Sequence, residues 1–284
     1  MDAAKNTAKK ATGSDGSGSQ FQKGHQVPVT KQPPPGHQGA MPKQPVNDQL
    51  PNDEGGYQPY KPAGKLQGKR ALITGGDSGI GRAISILYAL EGASSTIVHL
   101  PEEEEDALET KRYAEERGGK VDLIAADLRS AKACKDVVEQ ALKNMGRINI
   151  LVLNHGFQME QATIEDLTDG DTIITCASVN HYVGRPDLLD YTSTKGAIVA
   201  FTRGLSNQLV SRGIRVNAVC PGPIWTPLIP STMSEDSQKQ FTSPMGRSGQ
   251  PSEVATCFVF LASADSSFIS GQSLHPNGGT IVNS

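Results

Sequence analysis

The stretch that decides the fold is Thr74-Gly75-Gly76-Asp77-Ser78-Gly79-Ile80-Gly81-Arg82, which lies about a quarter of the way along a 284-residue chain. A short apolar run at 70–74 leads into it, and a helical pattern begins at about residue 79. The glycines allow a tight turn, the close approach of a pyrophosphate and tight helix packing, while the helix N-terminus offers N–H donors and positive potential. A glycine-rich turn alone is weak evidence, but a strand and a helix at this spacing predict a dinucleotide-binding turn.

The chain from residue 63 onward alternates short β-branched runs with amphipathic stretches, which is typical of βαβ units and a parallel sheet. This alternation predicts one α/β domain with a doubly wound (Rossmann) sheet, whose ligand lies where the strand order reverses. The predicted strands are 70–74, 95–100, 121–125, 148–154, 172–176, 214–219 and 273–275, and the predicted helices are about 79–91, 104–117, 131–145, 190–212 and 251–263.

Residues 1–62 differ from this domain, which spans 63–284. They are rich in Gly, Pro, Gln, Ser and Lys and contain few aliphatic residues. Such a segment cannot offset its ordering entropy by burial. We therefore expect a disordered tail with a linker or solubilising role, and specific docking is the alternative.

The charge balance excludes several classes of partner. The formal net charge is -3 and no long Lys/Arg run is present, so neither nucleic acid nor an acidic membrane is predicted as a partner. No stretch approaches the roughly 18 apolar residues of a membrane span, and the polar N-terminus lacks the apolar core of a secretory signal. A cytoplasmic protein is expected, although so polar an end leaves an organellar leader open.

The four cysteines occur singly along the chain, at positions 134, 176, 220 and 257. They lack the close pairs that common zinc sites need. We expect buried, reduced thiols and no metal.

The catalytic candidates are Tyr191 and Lys195, which an i, i+4 spacing places on one face of a helix. A free tyrosine has a pKa of about 10, and an adjacent ammonium is expected to lower that pKa and make Tyr191 a proton-transfer group. Ser178, at the end of the fifth strand, is placed to hydrogen-bond the substrate oxygen. A solvent-facing Tyr and Lys would be the simpler interpretation if this pair stood alone.

Other motifs agree on the place of the ligand. Asp127 follows the third predicted strand, and Asn154-His155-Gly156 follows the fourth. Pro221-Gly222-Pro223-Ile224-Trp225-Thr226 follows the sixth and can close over a nicotinamide carboxamide. All of these lie at carboxyl ends of strands, where a dinucleotide would be met.

Together these residues resemble the short-chain dehydrogenase/reductase family, in the family's order from about residue 65 to 279. The acidic run at 102–106, the sequence at 223–228 and His275-Pro276-Asn277-Gly278-Gly279 further resemble the plant glucose and ribitol dehydrogenase homologues. The resemblance implies seven strands in the order 3-2-1-4-5-6-7. It implies that Ser178, Tyr191 and Lys195 are catalytic, and that the cofactor contacts are Gly75, Ser78, Gly79, Ile80, Gly81, Asp127, Leu128, Asn154, Gly156, Tyr191, Lys195, Pro221, Gly222, Ile224 and Thr226.

One departure from the family concerns the crossover between the fourth and fifth strands. Only 24 positions separate Asn154 from Ser178, whereas the family usually has about twice as many, including a long helix with a fourth catalytic residue, an Asn. The segment at 157–171 leaves room for a short helix only. The usual homo-oligomer also loses its expected interface helix. The chain is either a genuine altered protein or a shortened version of a longer parent, such as a splice or gene-model product.

The expected activity is that of an NAD-dependent oxidoreductase acting on an alcohol, sugar or polyol, or on the corresponding carbonyl. NAD is favoured because acidic or neutral residues stand where an NADP site offers Arg or Lys, while Arg82 keeps NADP open. The run Glu102-Glu103-Glu104-Glu105-Asp106 is interpreted as a solvated helix start. The alternative function is a dinucleotide-binding, storage or protective protein whose catalysis was lost with the crossover helix.

Overall fold

A computed structural model describes residues 19–53, 56–154 and 171–282 of the chain. A two-stranded antiparallel sheet, β1 (Gln49–Pro51) and β2 (Tyr57–Pro59), precedes the main sheet. Seven parallel strands follow: β3 (Arg70–Thr74), β4 (Ser94–His99), β5 (Lys120–Ala125), β6 (Ile150–Leu153), β7 (Thr172–Cys176), β8 (Arg215–Val219) and β9 (Ser273–Leu274).

The order in the main sheet is β5-β4-β3-β6-β7-β8-β9, which confirms the expected 3-2-1-4-5-6-7. The chain moves outward from β3 to β5 and then crosses back to β6, so the order reverses between β3 and β6. Thr74 pairs with Val98 on one side and with Leu153 on the other. The carboxyl end of β3 therefore lies at the switch point where a doubly wound sheet binds its ligand.

Eight α-helices connect the described strands: α1 (Gly79–Leu90), α2 (Glu104–Glu115), α3 (Ala131–Met145), α4 (Asn180–Val183), α5 (Leu189–Leu209), α6 (Leu228–Thr232), α7 (Glu235–Lys239) and α8 (Pro251–Ala262). The five predicted helices are confirmed as α1, α2, α3, α5 and α8. The sequence did not reveal α4, α6 and α7, because helices of four or five residues are too short to show a 3.6-residue period.

The two faces of the sheet have differently organised cores. One face packs against α1, α2 and α8 in a single large cluster that includes Ile84, Leu87 and Phe258. Among the described residues, the opposite face has one cluster beneath α3 and two beneath α5. Half-buried Leu151 contacts the α3 cluster and the α5 cluster that contains Leu205. The crossover predicted at 157–171 lies outside the described residues apart from Asp171.

Residues 19–53 and 56–62 pack against the domain. This packing differs from the disordered tail expected for 1–62. Residues 1–18 lie outside the described residues. Val27 and Met41 pack with Trp225 and Ile229, and the Trp225 indole N–H donates to the carbonyl of Lys43 at 3.0 Å. Hydrogen bonds and a few well-placed apolar side chains hold this segment, and its low aliphatic content did not reveal them.

The four cysteines carry free thiols, three of them buried and Cys257 half-buried. Among the described residues, no helix combines the length and apolar character that crossing a membrane requires.

Candidate active site

The glycine turn joins the carboxyl end of β3 to α1. Gly79 has a φ of 53°, a left-handed conformation that favours glycine. A Cβ at Gly81 would lie 1.8 Å from the carbonyl oxygen of Gly75, so the first turn of α1 packs directly on the preceding loop. Gly75, Ser78 and Ile80 are half-buried. These three residues, which the sequence suggests as cofactor contacts, form the accessible rim of the turn.

A glutamine from the N-terminal segment also belongs to this turn. The buried Gln38 side chain accepts a hydrogen bond from the Gly79 backbone N–H through Oε1 at 2.7 Å. Ser78, the N-cap residue of α1, makes no capping bond of its own, so Gln38 satisfies a donor that helix starts normally leave open. This contact could not be predicted from the sequence, because Gln38 lies in a segment without periodic structure.

Acidic side chains surround the turn beneath the end of β4. Buried Arg82 donates to Asp106 Oδ1 at 2.9 Å and to the carbonyl of Asp77 at 2.9 Å. Burial raises the pKa of Asp77, and burial together with Asp77 raises the pKa of Glu103 to about 7.

The structure corrects the sequence interpretations of Arg82 and of the acidic run at 102–106. Arg82 is engaged with Asp106 inside the protein, so it does not present its charge to a cofactor phosphate. The acidic run is only partly a solvated helix start, because Glu103 and Asp106 are buried while Glu102, Glu104 and Glu105 are exposed. Asp106 also accepts the backbone N–H groups of Gln38 and Gly39, which ties the N-terminal segment to α2.

Asn154 links the switch point across two strands. Its side-chain Nδ2 donates to the carbonyls of Thr74 and Gly75 at 3.2 and 2.9 Å, and its backbone N–H donates to Thr74 Oγ1. The structure thus brings Asn154 to the glycine turn, as predicted. His155 and Gly156 lie outside the described residues.

The predicted adenine-side residues follow β5. Asp127 is half-exposed and forms an ion pair with Arg129, while Leu128 is buried in the cluster beneath α3. Asp127 is therefore accessible at the carboxyl edge of the sheet, and Leu128 anchors its loop.

The catalytic candidates converge beside β7. Ser178 is buried, and its side chain hydrogen-bonds Tyr191. Lys195 is buried, donates to the carbonyl of Cys176 at 3.0 Å, and places Nζ 5.5 Å from the centre of the Tyr191 ring. The i, i+4 placement at the start of α5 thus brings the phenol, the ammonium and the hydroxyl together.

The protonation properties of this cluster differ from the sequence expectation. Burial raises the pKa of Tyr191, although the Ser178 hydrogen bond acts in the opposite direction. Burial also lowers the pKa of Lys195. The expectation that Lys195 lowers the pKa of Tyr191 is wrong for this structure, because its ammonium is directed to the Cys176 carbonyl and desolvation of the phenolate has the larger effect.

The loop after β8 closes the site from the other side. Pro221 accepts the backbone N–H of Val179 at 2.9 Å, next to Ser178. A Cβ at Gly79 would lie 3.2 Å from Thr226, so the end of this loop touches the glycine turn. Ile224 is buried and Gly222 is half-buried. The predicted residues Pro221, Gly222, Ile224 and Thr226 therefore span the distance between the catalytic group and the glycine turn.

These residues fit a dinucleotide. The turn has no Cβ at Gly79 or Gly81, the N-terminus of the 12-residue helix α1 points to its rim, and Asn154 and Thr226 flank it. A pyrophosphate at a helix N-terminus needs backbone donors and close approach. Because Gln38 accepts the Gly79 N–H, those donors would have to be other N–H groups of the first helical turn. Ser178, Tyr191 and Lys195 lie further along the same edge, where they can act on a substrate oxygen.

Comparison with known proteins agrees with this arrangement. Residues 69–172 match the family model described as short chain dehydrogenase, and residues 157–280 match the one described as Enoyl-(Acyl carrier protein) reductase. The chain belongs to the short-chain dehydrogenase/reductase family, whose members are oxidoreductases that act on small molecules.

Its relatives include the glucose and ribitol dehydrogenase of Daucus carota, which is 50% identical, with 79% of this chain and 89% of that protein covered. General stress protein 39 of Bacillus subtilis is 49% identical, with 80% and 89% covered. NADPH-dependent aldehyde reductase 1, chloroplastic, of Arabidopsis thaliana is 46% identical, with 79% and 90% covered. The expected resemblance to glucose and ribitol dehydrogenases is confirmed.

Among solved structures, a short-chain dehydrogenase from Burkholderia cenocepacia in complex with NADP is similar, with a TM-score of 0.67 and 28% identity. The match covers 76% of this chain and 98% of that one.

The alignment with the carrot protein is 258 positions long, but the 79% of this chain that it covers corresponds to only about 224 of the 284 residues. The relative therefore has residues that this chain lacks, in agreement with the shortened crossover.

Proposed function

We propose that this protein is an NAD(P)-dependent oxidoreductase that interconverts the CH–OH group of an alcohol, sugar or polyol with the carbonyl. The observation that carries the proposal is the convergence of Ser178, Tyr191 and Lys195 at the edge of the sheet that also carries the glycine turn. The printed names of the carrot and Arabidopsis relatives point to sugar alcohols and aldehydes as substrates.

Each of the three residues has a distinct task. Tyr191 exchanges the proton of the substrate hydroxyl, Ser178 orients the substrate oxygen by a hydrogen bond, and the Lys195 ammonium supplies positive charge beside the phenol. A bound nicotinamide supplies or accepts the hydride. Because Lys195 donates to Cys176 in this structure, redirecting that ammonium toward Tyr191 is the step that would favour the phenolate.

NAD is proposed as the preferred cofactor. A ribose 2′-phosphate near the end of β4 would face the exposed carboxylate of Glu102, and like charge disfavours it. Arg82 is paired with Asp106, and Arg129 is paired with Asp127. NADP is the alternative, since two similar structures hold NADP.

The second candidate function is dinucleotide binding with weak or absent catalysis. Its support is the short crossover at 157–171 in the sequence, together with the raised pKa of Tyr191. Both features concern the catalytic side of the site, and neither involves the glycine turn.

Fluorescence titration of the purified full chain with NADH and NADPH, followed by assays with polyols and aldehydes, tests these proposals. We expect NADH to bind at least about tenfold more tightly than NADPH, which corresponds to about 1.4 kcal/mol, and turnover to follow. Binding without turnover supports the second candidate, and the absence of binding rejects both. Tighter binding of NADPH overturns the cofactor preference alone.

We further propose a cytoplasmic location, no nucleic-acid or membrane partner, and an oligomeric state without the family's usual helix pairing. Sedimentation of the full chain tests the last point. A stable dimer or tetramer would show that another surface mediates assembly.

A further inference from the structure

Three potential metal ligands meet beside the catalytic residues although they are far apart in the sequence. His181 lies in α4, Cys220 follows β8, and His275 follows β9. The ligating atoms of these side chains all lie within 4.8 Å of one another. The two imidazole rings are stacked, with centroids 5.5 Å apart and planes inclined by 24°.

The hydrogen bonds of the two histidines select the tautomer that binds metals. His181 Nδ1 lies 2.6 Å from the carbonyl oxygen of Ser178, so Nδ1 carries the proton and Nε2 keeps its lone pair. His275 hydrogen-bonds the backbone of Ser273, and its Nε2 is buried without a hydrogen-bond partner among the described residues. Metal-binding histidines characteristically donate one ring N–H to a carbonyl and coordinate through the other nitrogen.

The backbone holds the three ligands in place before any metal arrives. Cys220 is fully buried, and its N–H donates to the carbonyl of Leu274 at 2.7 Å. The N–H of Val179 donates to Pro221 at 2.9 Å, which fixes α4 against the loop after β8. His181 is half-buried, so the cluster has a route from solvent.

We propose that His181, Cys220 and His275 form a binding site for Zn²⁺, with water as the fourth ligand. Two imidazoles and one thiolate are a donor set that Zn²⁺ accepts in tetrahedral geometry, and a three-residue set leaves one position open. On binding, the Cys220 thiol gives its proton to solvent and the sulfur forms the Zn–S bond, while both imidazoles coordinate as neutral ligands. No electron is transferred. The bound ion clamps α4, β8 and β9 together, three residues from Ser178.

Co²⁺ is the spectroscopic probe for this site, because it accepts the same tetrahedral donors as Zn²⁺. The full chain, freed of metal by a chelator, is titrated with Co²⁺ alone. We expect one equivalent to produce a thiolate-to-cobalt charge-transfer band and the intense visible bands of a tetrahedral site, and Zn²⁺ to abolish both. Zn²⁺ at 100 times its dissociation constant should also raise stability by RT ln(1 + [L]/Kd), which appears as a higher melting temperature.

Variants separate the cluster from adventitious binding. His181→Ala, His275→Ala and Cys220→Ala should each weaken Co²⁺ binding at least tenfold, and Cys220→Ala should remove the charge-transfer band. Matched controls are Cys257→Ala, a half-buried thiol outside the cluster, and His25→Ala, whose Nε2 is likewise buried without a partner among the described residues. Both should bind Co²⁺ like the parent.

The proposal is overturned if no charge-transfer band forms, or if His181→Ala binds as tightly as the parent. His181 is half-buried in a four-residue helix, so this variant stays informative even if Cys220→Ala does not fold. None of these measurements uses oxidoreductase activity, so their outcome is independent of the proposed function.

Discussion

The two faces of the sheet differ in how their described residues cluster. The face covered by α1, α2 and α8 has one continuous core, and the N-terminal segment is hydrogen-bonded to its glycine turn. On the face covered by α3 and α5 the described apolar residues form separate clusters, and α5 leaves Leu189 69% and Phe201 46% exposed. The described residues place no helix between α3 and α5 on this face.

The two halves of the candidate site lie on different faces of the sheet. The glycine turn belongs to the well-packed face, while Tyr191 and Lys195 are carried by α5 on the divided one. Since packing determines how firmly a side chain is held, dinucleotide binding should tolerate the shortened crossover better than proton transfer does. The two functions of the site are therefore expected to respond separately to mutation.

The largest effect should come from Tyr191→Phe. Removal of the hydroxyl eliminates the proton-transfer group, and general acid–base catalysis contributes about 10²–10⁴-fold in rate. Turnover should fall by that factor, whereas NADH affinity measured by fluorescence should stay within about threefold, because the binding turn lies on the other face. Tyr182→Phe, at an exposed tyrosine nine positions away, is the matched control, and retained turnover in Tyr191→Phe would remove that residue from its role.

Leucine truncation compares the two cores directly. Leu87→Ala in α1 opens a cavity in the continuous core and should lower the free energy of unfolding by about 2–5 kcal/mol. Leu205→Ala in α5, which packs in the small cluster beneath that helix, should cost about 2 kcal/mol or less, because its surroundings relax more easily. Urea unfolding measures both variants, and equal losses would contradict the packing difference.

The pH dependence of stability should reveal the buried carboxyl of Glu103. Its pKa in the folded protein is raised by burial to about 7 from the ordinary value of 4.5, so the folded state binds the proton more tightly than the unfolded one. The contribution of the protonated Glu103 carboxyl to the free energy of unfolding is fully present below about pH 4.5 and is lost as the pH rises through about 7. Glu103→Gln should remove this loss.

The comparison for that variant is Glu102→Gln, its exposed neighbour. The melting temperatures of both variants are compared with that of the parent protein at pH 4.5 and at pH 8. If Glu103→Gln gains no stability relative to the parent at the higher pH, the carboxyl is not held in its protonated form.

The smallest effect is expected for Gln38→Ala. The substitution leaves the Gly79 N–H without its Gln38 acceptor, and loss of a helix-capping bond costs about 1 kcal/mol. Gln26→Ala, at an exposed position in the same segment, should leave the unfolding midpoint unchanged. Equal midpoints for the two variants would mean that the N-terminal segment does not support the glycine turn.

Local sequence signals were sufficient for much of the fold. Strand β3, the glycine turn and helix α1 were predicted because hydrophobic pattern, turn residues and spacing agree at that place. The same agreement located Tyr191 and Lys195 on one helix face. The charge environment was less predictable: Arg82 and Asp106 each look solvent-exposed in the sequence, and only packing reveals their buried pair.

The sequence by itself determined the parallel sheet and the residues at its carboxyl edge, because short-range periodicity and motif spacing are properties of neighbouring residues. The strand order was expected only from the resemblance to the family. Only the tertiary structure brought Gln38 to the N–H of Gly79, buried Arg82 against Asp106, and joined His181, Cys220 and His275. These arrangements depend on residues distant in the chain, and their contacts exist only once the strands and helices have packed.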